Sequence, residues 1–183
     1  IIEGSILPVN PMEHHKAWVF LHNKIFYSRA LDGRGQYGKK GGDGVAHSNA
    51  GNDVKGVSYV QMHGMDKSGE ERRVYTVSTC VVDYRGERFV AQSIIPGIFH
   101  SSGTSGENKT QIYGSVDGGE SVEFDEEMHK HLLELGKLLH SKPHTVLDKD
   151  GKAVEQAVRC ETKGIKGSDR RYYILDLFRA FPR

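Results

Sequence analysis

Two stretches of this chain, 82–98 and 163–179, limit its fold more than any other feature. Each sets β-branched and aromatic residues on either side of a short polar tip, Arg85-Gly86 in the first and Gly167-Ser168-Asp169-Arg170 in the second. That is the pattern of strands joined by tight turns. Residues 74–83 supply one strand and 88–95 its partner, which Pro96-Gly97 ends because proline has no N–H for a ladder. The second stretch closes a β-meander: a short strand over 145–147, a turn at 148–151, a strand over roughly 154–165, the 167–170 turn, and a last strand over 171–178.

Helical signals punctuate these strands. Asn10, Pro11 and Glu13 resemble a capping box, and Trp18, Leu21, Ile25 and Phe26 follow at helical spacing, so a first helix is predicted there with Trp18 as a core anchor. A weaker helix or turn region is expected over 52–62. The clearest helix starts at Asp125, with Glu126 and Glu127 in its first turn. Phe124, Met128, Leu132, Leu135 and Leu139 form its apolar face, Lys137, His140 and Lys142 suit its negative end, and Pro143 stops it. Hairpins segregated from helices point to an α+β domain over 1–183, with an antiparallel meander and two or three packed helices. No repeat is visible.

The 183 residues are enough for one domain with a real core. A net charge of +1 fits neither a strongly basic nucleic-acid binder nor an acidic tail. The balance is uneven along the chain: 117–134 holds seven acids against Lys130 alone, and 149–183 holds nine basic residues against five acids. No run is apolar enough to span a membrane and no signal segment opens the chain. The ends, Ile1-Ile2 and Pro182-Arg183, read as those of a domain cut from something longer. Cys80 and Cys160 are expected to be buried thiols in a reducing compartment, hence a cytosolic protein, with one disulfide as the alternative.

Between Asp32 and Gly44 there are six glycines, and 33–38 matches G-x-G-x-x-G by letter. A phosphate loop needs a strand before it and a helix after it. Here a helix is expected before it, so 32–44 reads as a flexible surface loop carrying Arg34, Lys39 and Lys40. In a functional reading this loop orders on a polyanion. Residues 101–109, rich in Gly and Ser, read as a mobile loop. The ten histidines lack metal-ligand spacing: His129 and His131, like His14 and His15, diverge, and no metal or other cofactor is expected. Ser93, Ser115 and Cys80 have no assigned base, and Asp83, Asp117 and Asp176 are possible acids or bases only by type. Asp176, ending an apolar strand, loosely resembles a kinase-type metal-binding acid, but the lysine strand and H-R-D loop are missing. The plainer expectation pairs it with Arg88, Arg171 or Arg179. Arg85, Arg170, Arg171 and Tyr172 are the remaining RNA-binding candidates, since guanidinium groups fork phosphates and phenol rings stack on bases. The competing reading ties these arginines, together with Arg88 at the first turn, to Asp83, Asp169 and Asp176 within the fold.

Taken with Tyr113-Gly114-Ser115 and Asp117, the two stretches resemble the Clu domain of the clustered-mitochondria protein family, over about 2–181. The matching positions include Asp83, Tyr84, Arg85, Gly86, Arg88, Gln92, Pro96, Gly97, Gly114, Gly164, Gly167, Asp169, Arg171, Asp176 and Arg179. The resemblance implies a cytosolic eukaryotic protein involved in distributing mitochondria. It also implies binding of messenger RNA and association with translation initiation factor three and ribosomes. It assigns no catalytic residues, so these positions are expected to define the fold, and the chain is expected to be no enzyme. The expected partners are messenger RNA, initiation-factor or ribosomal proteins, and other domains of its own chain. The alternative is a protein-docking domain without RNA contact; a lesser one is a nucleotide-binding, kinase-like or degenerate enzyme lobe.

Overall fold

The structure, a computed structural model, describes residues 1, 3–63, 74–98, 111–116 and 118–181. The 101–109 loop and Asp117 lie outside these residues. The chain is α+β, and its packing divides it into two compact units: unit 1, Ile1–Lys55 with Ser78–Ile94, and unit 2, Gly56–Val77 with Ile95–Arg183.

Unit 1 is built on an antiparallel sheet of order β1-β2-β5-β4, with β1 Val19–His22, β2 Ile25–Arg29, β4 Thr79–Tyr84 and β5 Glu87–Ser93. The helix expected after Asn10 is absent; only a short 3-10 turn, His15–Ala17, precedes β1. The Asn10 side chain pins a loop instead of capping a helix, donating to Ala17 O at 3.0 Å and accepting from Val19 N at 2.8 Å. Val19-Phe20-Leu21 and Ile25-Phe26-Tyr27 are good strand formers, and Asn23 and Lys24, at φ 49° and 60°, make a turn that fits strand twist. Trp18 is half-buried, its Nε1 donating to Glu13 O at 2.9 Å. One sheet face buries Phe20, Phe89 and Ala91. There the Arg29 guanidinium lies between the Phe20 and Phe89 rings, 5.9 and 5.8 Å from their centroids, with Nε on Glu87 at 2.9 Å.

Helix α1 runs over Gly42–His63, far longer than the 52–62 region expected, and contributes to unit 1 as far as Lys55 and to unit 2 from Gly56. Unit 2 has a sheet of order β3-β11-β10-β6-β7: β3 Tyr75–Thr76, β6 Gln111–Val116, β7 Ser121–Glu123, β10 Lys163–Lys166 and β11 Tyr172–Leu175. Only β3 joins in parallel, through Tyr173↔Tyr75. Helix α2, Glu126–Leu138, starts as expected at Asp125, whose carboxylate accepts from Met128 N at 2.7 Å. Its Met128, Leu132 and Leu135, with Leu139 just beyond, enter a core with Val57, Val60, Tyr113, Val158, Ile174 and Leu177, while Phe124 stays exposed. Burying one such side chain is worth roughly 1.5–3 kcal/mol.

A separate ribbon pairs β8 His144–Leu147 with β9 Ala153–Gln156 around the expected turn. The long strand expected to reach residue 165 breaks at 157–162, where Ala157 N turns to the Tyr113 phenol at 2.9 Å and Cys160 O accepts from Ser115 N at 2.8 Å. Likewise β11 stops at Leu175, because Asp176 takes a left-handed φ of 61°. The cysteines are free, but Cys80 is exposed and Cys160 only half-buried, contrary to the expectation of buried thiols.

Candidate interaction surfaces

In unit 1, Arg85 (φ 50°) and Gly86 (φ 79°) form the tight turn between β4 and β5. The Arg85 side chain reaches Glu3 at 3.1 Å and lies 5.3 Å from the Tyr84 ring centre. Arg88 grips Asp83 with both arms, Nε and Nη2 each 2.6 Å from a carboxylate oxygen, and donates to His47 O at 3.4 Å. Those hydrogen bonds hold the Asp83 carboxyl below its ordinary range and raise the Arg88 guanidinium. A cavity of about 310 Å³ opens beside this pair, lined by His47, Asp83, Arg85 and Arg88 among others.

Ahead of α1, Arg34, Lys39 and Lys40 are exposed, and their side chains make no hydrogen bond or ion pair with any described residue. The segment that carries them is folded, with a 3-10 turn at Gly38–Lys40. Asp32 accepts from Tyr37 N at 3.0 Å, and Asp32 N donates to Asp43 at 2.9 Å. Gly33 allows a close approach, since a Cβ there would sit 2.6 Å from Ala17 N. The strand β2, not the expected helix, precedes G-x-G-x-x-G, and α1 follows it. A nucleotide phosphate cradled at the start of α1 is still disfavoured, because the Asp43 carboxylate occupies that first turn, bound to Lys16 at 2.8 Å.

In unit 2 the 167–170 tip is braced from within. Burial pushes the Asp169 carboxyl up, but hydrogen bonds from Tyr173 Oη at 2.7 Å and Arg171 N at 3.2 Å, with the Arg171 charge, leave it lowered overall. Arg171 also lies over the Tyr75 ring at 4.8 Å, with Nη1 3.8 Å from Asp169. Arg170, at φ 65°, is exposed and its side chain meets no described partner. Tyr172 offers no open ring face for stacking: it is 8% exposed, donates from Oη to Glu127, and accepts from Lys166 at 3.2 Å. Burial raises this phenol, which opposes a role as a base. Asp176 pairs with Lys163 at 3.2 Å rather than with an arginine, while Arg179 binds Glu161. No group of three or more His, Cys, Asp or Glu side chains suited to a metal occurs among the described residues. No helix there is long and apolar enough to cross a membrane.

The family model described as clustered mitochondria (CLU) matches residues 1–183. The chain belongs to the clustered mitochondria family. Clustered mitochondria protein homologs from Sclerotinia sclerotiorum, Dictyostelium discoideum and Culex quinquefasciatus are 42%, 37% and 40% identical to it, each across 100% of this chain. The chain spans only 13%, 15% and 12% of their respective lengths. No solved structure matches.

Several of the glycines in the CLU motif positions have a packing reason. A Cβ on Gly164 would sit 2.7 Å from Tyr113 Cβ and 2.8 Å from Met128 Cε; one on Gly97 would meet Ser168 Cβ at 2.7 Å. Gly167 faces Asp169 and Tyr173 in the same way, and Gly114, at φ 89°, lies against the Thr162 carbonyl. Sequence reasoning missed two features. One is the buried Tyr113 Oη–His129 Nδ1 contact at 2.7 Å, where burial pushes the phenol up to about 12. The other is a cleft of about 400 Å³ in unit 1, lined by Ile1, Ile6, Tyr27, Val82, Tyr84 and Phe89 among others. The alternation of β4 and β5 carried a signal for the second, since Val82, Tyr84 and Phe89 fall on one face.

Proposed function

We propose that this CLU chain is a non-catalytic binding module of a cytosolic protein that supports mitochondrial distribution, and that it engages messenger RNA through Arg34, Lys39 and Lys40. The supporting observation is that these three cations lie within one short segment, exposed and unneutralised by any described residue. Phosphate contacts of this kind release counterions without reading sequence. Arg170 is a further cation with no partner among the described residues, while Arg85 and Arg171 would have to share themselves with Glu3 and Asp169. Association with the translation machinery follows from the RNA it would hold.

Titration of the chain with fluorescent single-stranded RNA across a salt series tests this reading. Affinity should fall log-linearly with salt, and Lys39→Ala/Lys40→Ala should reduce the slope by about 1.4, the value for two single-strand phosphate contacts. Arg170→Ala/Arg171→Ala should change it less. Absence of binding at low salt removes direct RNA contact.

A second reading, docking of a polypeptide, is favoured by apolar side chains displayed in unit 1: Leu7, Val9 and Met12 are 79%, 54% and 97% exposed.

A further inference from the structure

The two edges of the unit 1 sheet differ. The β1 edge is covered by the chain itself, through a bridge from Pro8 to Phe20 and a hydrogen bond from Val9 N to Val19 O at 2.8 Å. The β4 edge has no strand beside it among the described residues. Arg88 O accepts from Ala30 N at 2.9 Å, on the β2 side, and Ser93 N donates to Ser78 O at 2.9 Å, on the β4 side. Antiparallel ladders alternate, so Cys80, Val82 and Tyr84 spend their backbone groups on β5, and those of Val81 and Asp83 point away from the sheet.

Edges are ordinarily blunted by proline, lysine, a bulge or great shortness. Residues 79–84 carry no proline or lysine, pair in unbroken register with β5, and have their one acid held by Arg88. On the face where Val82 and Tyr84 stand 41% and 54% exposed, the edge borders the 400 Å³ cleft.

We propose that β4 accepts an extended polypeptide segment with apolar residues at alternate positions, its backbone pairing with Val81 and Asp83 and its apolar side chains entering the cleft. This deepens the docking reading, on which it rests, and is independent of the RNA reading. The occupant's chemistry follows from the edge: outward N–H and C=O groups at every second residue match a peptide backbone, and the cleft beside Val82 takes the side chain a guest strand presents on the same face.

The test uses a synthetic decapeptide with valine at alternate positions and threonine or lysine between, and a twin N-methylated at alternate amides. The unmethylated peptide should bind and slow hydrogen exchange at the Val81 and Asp83 amides. N-methylation should weaken binding about tenfold or more, the loss of one or two hydrogen bonds with added steric hindrance. Val81→Pro should do the same while leaving the β4–β5 ladder intact, because that N–H does not serve β5. The methylated twin tests the idea even if the variant misfolds. Equal binding of both peptides, or no binding, overturns the proposal. Slowed exchange at these amides on raising protein concentration alone would give the edge to a second copy and overturn it too. Binding that depends on Leu7 and Met12 but not on Val81→Pro would keep docking and remove the edge.

Discussion

In unit 2, Tyr113, Met128, Leu132 and Ile174 are each 0% exposed, whereas in unit 1 Met12 is 97% and Tyr84 54% exposed. The contrast follows from what covers each sheet. Unit 2 sets a helix with a continuous apolar stripe against its strands, so its cost of ordering is offset by side-chain burial. Unit 1 has four strands, small or polar buried residues from α1 (Ala46, Asn49, Ala50 and Asp53), and an N-terminal segment that leaves a cleft. Among the described residues both buried apolar clusters lie in unit 2, so stability is expected chiefly from it, while the binding surfaces proposed above lie chiefly in unit 1. Substitutions can break that division.

The largest expected effect is that of Gly114→Ala. A left-handed φ and the unyielding Thr162 carbonyl combine, so a loss of about 3 kcal/mol or more is expected in urea unfolding. Gly86→Ala in unit 1, at φ 79° with nothing within 4 Å of its Cβ, should cost only about 1 kcal/mol. Leu132→Ala, which opens a cavity in the unit 2 core, should cost about 2–5 kcal/mol. Equal losses from Gly114→Ala and Gly86→Ala would undo the comparison.

Tyr113→Phe comes next. It strips the acceptor from Ala157 N and the partner from His129, and about 1–3 kcal/mol should be lost. The same phenol predicts a pH dependence. Its folded pKa, about 12, lies above the ordinary 10, so the fold retains a proton that the unfolded chain releases. Its contribution is whole below pH 10 and disappears as pH rises towards 12. Thermal unfolding across that window should fall more steeply in the parent chain than in Tyr113→Phe; parallel curves would mean the phenol is not protected.

These residues also show what the sequence could reveal. The α2 cap and stripe, the turn at Arg85-Gly86 and the Asp83–Arg88 and Asp169–Arg171 pairs lie close together in the chain, and local chemistry sufficed. The first half of α1 escaped because its buried stripe is made of alanines, Asn49 and Asp53, which carry little apolar periodicity, and because glycines crowd its start. The reverse error occurred at Trp18, Leu21 and Ile25, where spacings of three and four coincide with a hairpin. At the candidate sites, Tyr172 looked like a stacking ring beside two arginines. Strand alternation instead turns it to Glu127, a residue 45 positions away that nothing local announces. The β4 edge is a topological fact, since it depends on which strand lies outermost.

The smallest expected effect concerns Met12. Its side chain, 97% exposed, has almost no water-excluded surface to lose, so Met12→Ser should move the unfolding midpoint by no more than about 0.5 kcal/mol. Leu7→Ser, at 79% exposure, should do the same. Near-neutral stability is the informative result, because it separates the docking proposed for this segment from any part it plays in holding the fold together. A cost comparable to that of Leu132→Ala would mean that the N-terminal segment holds unit 1 together. The cleft it helps to line would then be a packing defect, and the division between the two units would vanish.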